Sequence, residues 1–400
     1  MKNTVITIAA LLAGVFASAQ PQQAAQAQAP EYQFTTVKEA AISPIKNQYR
    51  SGTCWCFSSL SFLESELLRT QNKVYDLSEM WVVSHAYSDK AVKYVRMDGN
   101  MGFAQGSGFG DVMAVIKKYG IVPESVYSGQ QYGTELPELY ELDAVLKGYV
   151  DAIAKNPNKT LSTAWKKGIN AVLQAYMGEW PSQFQAEGKS FTPETYRDQQ
   201  LKLDVSDYVN ICSFAAEPWY EMCPIEVSDN WRNAGGYNVP LEDMMRILYN
   251  ACDNGYTVLW GGDVSESGFT RNGLAIVPKP AADAKPAAGS DQEHWVGKDN
   301  STPAEPKLAT LPEELTITDE MRQDAYDRKL TTDDHGMHIY GYAKDQNGTK
   351  YFMVKNSWGE TGKYKGTWYM SDSFIAYKTL NFLVHKDALP KDLRKKLNIK

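Results

Sequence analysis

The sequence predicts a two-lobed α+β fold: a helical lobe plus a β-rich lobe, with a large, mainly helical insertion between them. Three observations carry that expectation. Phe57, Leu60, Leu63 and Leu67 recur at steps of three and four, the period of one helix face, just after Cys54. Near the other end, Met337 to Ala343 and Lys350 to Lys355 are strand-like runs around a turn containing Asn347-Gly348, a strong hairpin signal. Between these regions, Leu139 to Ala154 and Thr163 to Met177 carry helical apolar spacing. With 400 residues, 43% of them hydrophobic, the chain is long enough for two or three domains around a sizeable core.

The elements follow in order. Met1-Lys2-Asn3, the apolar stretch Val5 to Phe16 and Ala17-Ser18-Ala19 read as a cleavable signal peptide over residues 1–19. The apolar run is too short to span a bilayer, and no cysteine follows the cleavage site, so no stable membrane anchor is expected. The mature chain would begin at Gln20, and residues 20–38 are expected to be disordered, starting with a Gln/Ala/Pro tract. Residues 39–127 form the helical lobe, with a helix start at Leu77-Ser78-Glu79. Residues 128–277 are the insertion, helical first and then mixed, with a strand at Tyr256 to Gly261. Residues 278–312, rich in Ala, Pro, Asp and Lys, read as a surface loop. Residues 313–400 make the β-rich lobe, ending in a short amphipathic helix marked by Leu389, Leu393 and Leu397.

The chemistry resides in two separated motifs. Cys54 stands at the start of the first helix, where unpaired N–H groups and the macrodipole favour a thiolate. His335 and Asn356 are nearly equidistant from the Asn347-Gly348 turn, so a hairpin brings them together at its open end. An amide there can hold one imidazole nitrogen and leave the other to take the Cys54 proton. His338 competes as base, but three residues along a strand reverses the side-chain direction, so only one of the two can face the cleft; Asp334-His335-Gly336 favours His335. Cys56 points away from Cys54 on a helix and reads as a small buried hydrophobe. His85, His294 and His385 show no metal spacing and read as structural.

These residues resemble the papain-like cysteine peptidases, and within them the bleomycin hydrolase and aminopeptidase C branch. The resemblance runs from about Glu39 to Pro390 through Gln48…Ser51-Gly52…Cys54-Trp55, Tyr119-Gly120-Ile121-Val122-Pro123, Phe191-Thr192-Pro193 and Asp207-Tyr208-Val209. It continues in Tyr237-Asn238-Val239-Pro240, Trp260-Gly261-Gly262-Asp263-Val264, His335-Gly336-Met337, Asn356-Ser357-Trp358-Gly359 and Met370-Ser371-Asp372. The spacing from Cys54 to His335 far exceeds the roughly 130–150 residues usual for the papain group itself, as expected with the insertion. The resemblance implies a papain-like core, Cys54 as nucleophile forming a thioester, His335 as base and acid, and Asn356 as its orienter. Gln48 would donate to the oxyanion beside the Cys54 N–H. Trp358 would shield the His335–Asn356 bond. Gly108, with Ser107 and Trp358, would line the substrate site, Gly108 pairing with substrate backbone. A hexamer with internal active sites and aminopeptidase action on short peptides are also implied, with no metal or organic cofactor.

In the family a C-terminal arm offers its terminal carboxylate to the substrate amine; the sequence after Leu389-Pro390 shows no such Pro/Trp-rich stretch, so endopeptidase or dipeptidyl-type cleavage stands as the alternative. A formal charge of −7 without long Lys/Arg runs speaks against nucleic-acid binding. Five cysteines leave one odd, which suits a free catalytic thiol; Cys212, Cys223 and Cys252 leave several pairings open, and Ser51 stands where papain-type enzymes carry a disulfide cysteine. The expected location is the periplasm or the exterior. Two further readings stand apart: transglutaminase-like acyl transfer, disfavoured by Gln48, and a non-catalytic peptide-binding protein, disfavoured because nucleophile and base are both present.

Overall fold

The computed structural model describes residues 31–158, 160–279 and 311–400. The expected signal peptide and nearly all of the 278–312 loop lie outside the described residues. The helical lobe is built from α1 (Cys54–Gln71), α2 (Glu79–Arg96), α3 (Phe109–Tyr119), α4 (Tyr140–Ala154) and α5 (Ala164–Met177). Trp55 to Leu67 of α1 are all buried, so this is a core helix wrapped on every side. Ser78 caps α2 by accepting from the Trp81 N–H at 3.0 Å, matching the helix start read at Leu77-Ser78-Glu79. α4 and α5 pack against α2 and each other, so the first part of the insertion thickens the helical lobe instead of forming a separate body.

β1 (Thr35–Glu39) precedes α1, and after α5 the chain alternates through β2 (Phe184–Ala186), β3 (Lys189–Phe191), α6 (Pro193–Thr195), β4 (Tyr208–Cys212), β5 (Met222–Pro224), β6 (Gly235–Asn238), α7 (Leu241–Asp253), β7 (Val258–Gly262) and β8 (Leu274–Ala275). The remainder is α8 (Asp319–Asp327), β9 (His335–Lys344), β10 (Lys350–Lys355), β11 (Thr367–Ser371), α9 (Asp372–Lys378), β12 (Thr379–His385) and α10 (Lys391–Lys396). Among the described residues ten strands form one sheet, ordered β5-β6-β4-β12-β7-β9-β10-β11-β8, with β1 beside β9. Its core holds Trp260, Met337, Ile339, Phe352, Trp368, Phe374 and Phe382, all buried.

One expectation needs correction. Thr35 to Glu39 are not disordered: they pair antiparallel with β9, from Thr35↔Lys344 to Glu39↔Gly341, and Phe34 stacks on Tyr369 at 3.8 Å. The strand is exposed along its whole length, so backbone pairing and not an apolar face holds it. The second half of the insertion is mixed, as its sequence reads. It supplies β4 to β8, and β7 lies between β12 and β9 inside the sheet. The β-rich lobe therefore draws on residues well before 313.

Candidate active site

Cys54 is the first residue of α1, partly exposed to the cleft. What lets the β-rich side approach it is glycine. Gly336 on β9 faces Gly261 on β7 in the ladder. A Cβ on Gly336 would stand 2.7 Å from Ser58 Oγ, 3.0 Å from the Phe109 ring and 3.4 Å from the Cys54 carbonyl; one on Gly261 would meet Phe109 at 2.9 Å. Phe109 thus seats α3 on two facing glycines, while β9 presses directly on the start of α1. The residue before Gly336 is His335.

His335 Nε2 lies 2.8 Å from Asn356 Oδ1. The same Oδ1 accepts from the Ser357 N–H at 2.7 Å, which fixes the amide orientation. Asn356 therefore presents an acceptor, Nε2 carries the proton, and Nδ1 is left with a lone pair. The Trp358 ring covers the imidazole at 4.8 Å between centroids and is backed edge-on by Trp368 at 5.5 Å. His338 faces the other way, buried, with Nδ1 2.9 Å from Ser61 Oγ on α1. The period-two reading of the two histidines matches this arrangement.

Gln48 is buried and clamped by both lobes. Its Nε2 donates to the Ser51 carbonyl at 2.7 Å, its Oε1 accepts from Ser357 Oγ at 2.6 Å, and its backbone N–H donates to the Ser357 carbonyl at 2.8 Å. One amide hydrogen is thereby used to set the plane of a group that lines the same cleft as Cys54 and His335. Ser357 stood inside a motif quoted from the sequence, yet its part in aiming Gln48 appears only in three dimensions.

Burial governs the resting charges. It pushes the Cys54 thiol up to about 12, with Asp333 and Asp229 adding to the rise, while the backbone N–H groups of Gly336 and Trp55 act in the opposite sense. Burial pushes His335 down to about 4, against the Asn356 hydrogen bond and Asp334. The two shifts run in opposite senses, the thiol upward and the imidazole downward, and burial is the largest cause of each. Asp334 accepts from the Ser265 N–H at 3.1 Å and from Thr332 Oγ1 at 2.7 Å, tying loops together.

The cleft has a volume of about 580 Å³ and is lined by Gln48, Cys54, Ser107, Gly108, His335 and Trp358 among others. All seven sequence-predicted site residues thus border or support one space, since Asn356 reaches it through His335. One role changes. The Gly108 N–H donates to Asp111 Oδ2 at 2.8 Å in the cap of α3, so it is not offered to a substrate. Gly106 and Ser107, just before that cap, line the wall beside Gly108. Asp229, Asp333 and Asp143 also line the cleft and had no signature in the sequence. Among the described residues no group of His, Cys, Asp and Glu is arranged to hold a metal ion.

Comparison with known proteins agrees with this geometry. The family described as Papain family cysteine protease matches residues 30–179, and the Peptidase C1-like family matches residues 313–400. The Aminopeptidase C of Lactococcus lactis subsp. lactis is 23% identical over 95% of this chain and 88% of its own length. The Aminopeptidase G of Lactobacillus delbrueckii subsp. lactis is 22% identical over 99% of this chain and 92% of its own. Among solved structures, PepW from Lactobacillus rhamnosis superposes with a TM-score of 0.66 at 18% identity, over 91% of this chain and 84% of that one. Two family matches bracket the two halves of the cleft, the relatives are alike over nearly the full length, and the fold is shared with PepW: both halves of the cleft match papain-like cysteine peptidases.

Proposed function

We propose that this protein is an exported aminopeptidase acting on short peptides through a Cys54 thioester. The observation that carries the chemistry is the His335 imidazole locked by Asn356 through Nε2, in the cleft entered by the first residue of α1. Sγ of Cys54 attacks the scissile carbonyl while His335 Nδ1 takes its proton. The oxyanion is held by the Cys54 N–H and the Gln48 amide. His335 then gives the proton to the leaving amine, and in the second half it activates the water that hydrolyses the thioester. The aminopeptidase assignment is supported by the full-length relatives that carry that name. Export is supported by the signal-peptide pattern of residues 1–19, and the hexamer by family resemblance.

The test compares fluorogenic aminoacyl amides bearing a free amine with their N-acetylated counterparts, with Cys54→Ala as control. Cleavage confined to free amines and abolished in the control is the expected result. Equal cleavage of blocked substrates would favour the endopeptidase alternative. N-terminal sequencing of the periplasmic fraction should begin at Gln20, and the mass of the native particle should be a multiple of the chain.

A further inference from the structure

The cleft holds a carboxylate that the mechanism above does not use. Asp229 lies on the loop from Ile225 to Ala234, and this loop is pinned. Asn230 Nδ2 donates to the carbonyls of Ile225 and Ala234 at 2.8 Å, and its Oδ1 accepts from the Ala234 N–H at 2.8 Å. Trp231 Nε1 donates to Ser107 Oγ at 2.8 Å, and Lys93 Nζ donates to the Trp231 carbonyl. Arg232 anchors the far side through Asp89 and Asp111, each at 2.8 Å. The loop is thus fastened to the wall formed by Gly106 and Ser107. Against that wall the carboxylate comes so near Gly106 that a Cβ there would stand 1.8 Å from Asp229 Oδ2. Only glycine at 106 admits it.

The direction of the reaction says which part of a substrate meets this wall. His335 delivers its proton to the leaving amine, so the departing portion lies on the side of His335 and Trp358. The acyl portion lies toward the helical wall, where Trp55 Nε1 holds the Gln105 carbonyl at 3.0 Å and Gly106 follows. In an aminopeptidase the acyl portion ends in an α-ammonium. Asp229 is half-buried there, and among the described residues no hydrogen bond reaches its carboxylate. The nearby cation, Lys90, spends its donors on the carbonyls of Ala104 (2.9 Å) and Gly106. Burial raises the Asp229 carboxyl from its ordinary value, with Lys90 opposing. A fixed, poorly compensated carboxylate in a confined space gains most from a cationic ligand.

We propose that Asp229 receives the α-ammonium of the substrate and sets the preference for free N-termini, a proposal that rests on the aminopeptidase reading. The test uses the full chain and measures kcat/KM for leucyl-aminomethylcoumarin and N-acetyl-leucyl-aminomethylcoumarin, with active sites counted by iodoacetamide alkylation of Cys54. Asp229→Asn should lose about 30-fold or more on the free-amine substrate, the scale expected for stripping one partner from a confined charge pair. The blocked substrate should be unaffected or faster, so the ratio between the two collapses. Gly106→Ala, which expels the carboxylate without altering its charge, should collapse the same ratio independently. Retention of the wild-type ratio within about threefold in both variants, at full alkylation count, overturns the proposal. A wild-type protein with no preference for the free amine defeats the aminopeptidase reading itself, a result visible before any variant is made.

Discussion

Gly336→Ala places a single methyl group at the contact between the lobes. Built without movement, that methyl lies 2.7 Å from Ser58 Oγ and 3.0 Å from the Phe109 ring. Ser58 cannot rotate freely, because its hydroxyl donates to the Cys54 carbonyl at 2.7 Å. Phe109 cannot yield easily, being buried against Gly261 as well. Relief therefore requires β9 to recede from α1 by a few tenths of an ångström. Overpacking of this kind costs about 1–3 kcal/mol. The movement also separates Cys54 from His335, and since misplacement by about 1 Å costs on the order of 100-fold, a smaller shift should lower kcat by about tenfold. Denaturant unfolding and kcat on a free-amine amide read the two effects. Adding Ser58→Ala removes the nearer clash and should recover part of the stability, a coupling that a double-mutant cycle isolates. If Gly336→Ala keeps wild-type kcat within about twofold and an unchanged unfolding midpoint, glycine at this position does not set the spacing of the lobes.

Gln48→Ala should cut kcat by roughly 100- to 1000-fold, the usual consequence of losing one oxyanion donor. It should also lower stability, because Ser357 Oγ and the Ser51 carbonyl lose buried partners. The His335 value of about 4 places the acid limb of kcat/KM well below the ordinary histidine range. Because unfolding restores the normal histidine value, the unfolded state binds the extra proton between about pH 6.5 and 4, and stability is lost as pH falls through that window. His335→Gln should remove up to about 3 kcal/mol of that fall, measured as the difference between the two proteins' urea titrations. Cys212 and Cys223 lie on β4 and β5 with their sulfurs 3.3 Å apart, and Gly236 on the intervening β6 carries no Cβ to come between them. In glutathione disulfide buffer the two thiols should join while one glutathione disulfide is reduced to two thiols. Thiol titration should then fall by two in the wild type, and Cys212→Ser should retain its remaining thiols.

The sequence made the reacting groups legible because each depends on a local pattern. A helix face begins at Cys54, a hairpin turn sets His335 against Asn356, and strand alternation separates His335 from His338. Where support came from backbone or from distant parts of the chain, no local pattern existed. β1 has no buried side chain to produce an alternation, only a row of N–H and C=O groups that match the edge of β9. β4 and β6 are short strands, parallel to each other, so no tight turn between them could announce the pair. Asp229 sits in a plain polar stretch, Ser228-Asp229-Asn230, and acquires meaning only from Gly106, more than a hundred residues earlier.

Register is what turns these distant pieces into a site. Gly261 pairs with Gly336 and Gly262 with His335 across β7 and β9. A slip of one residue would reverse every side chain on β9, sending His335 away from the cleft and the His338 ring toward it. The slip would also set side chains where Phe109 and Ser58 now press on bare backbone. The buried Trp260, Met337 and Ile339 specify the same register from the opposite, apolar face of the sheet. Core packing and catalytic alignment are therefore one constraint on β9, so a change that loosens this apolar face should damage activity before it unfolds the protein.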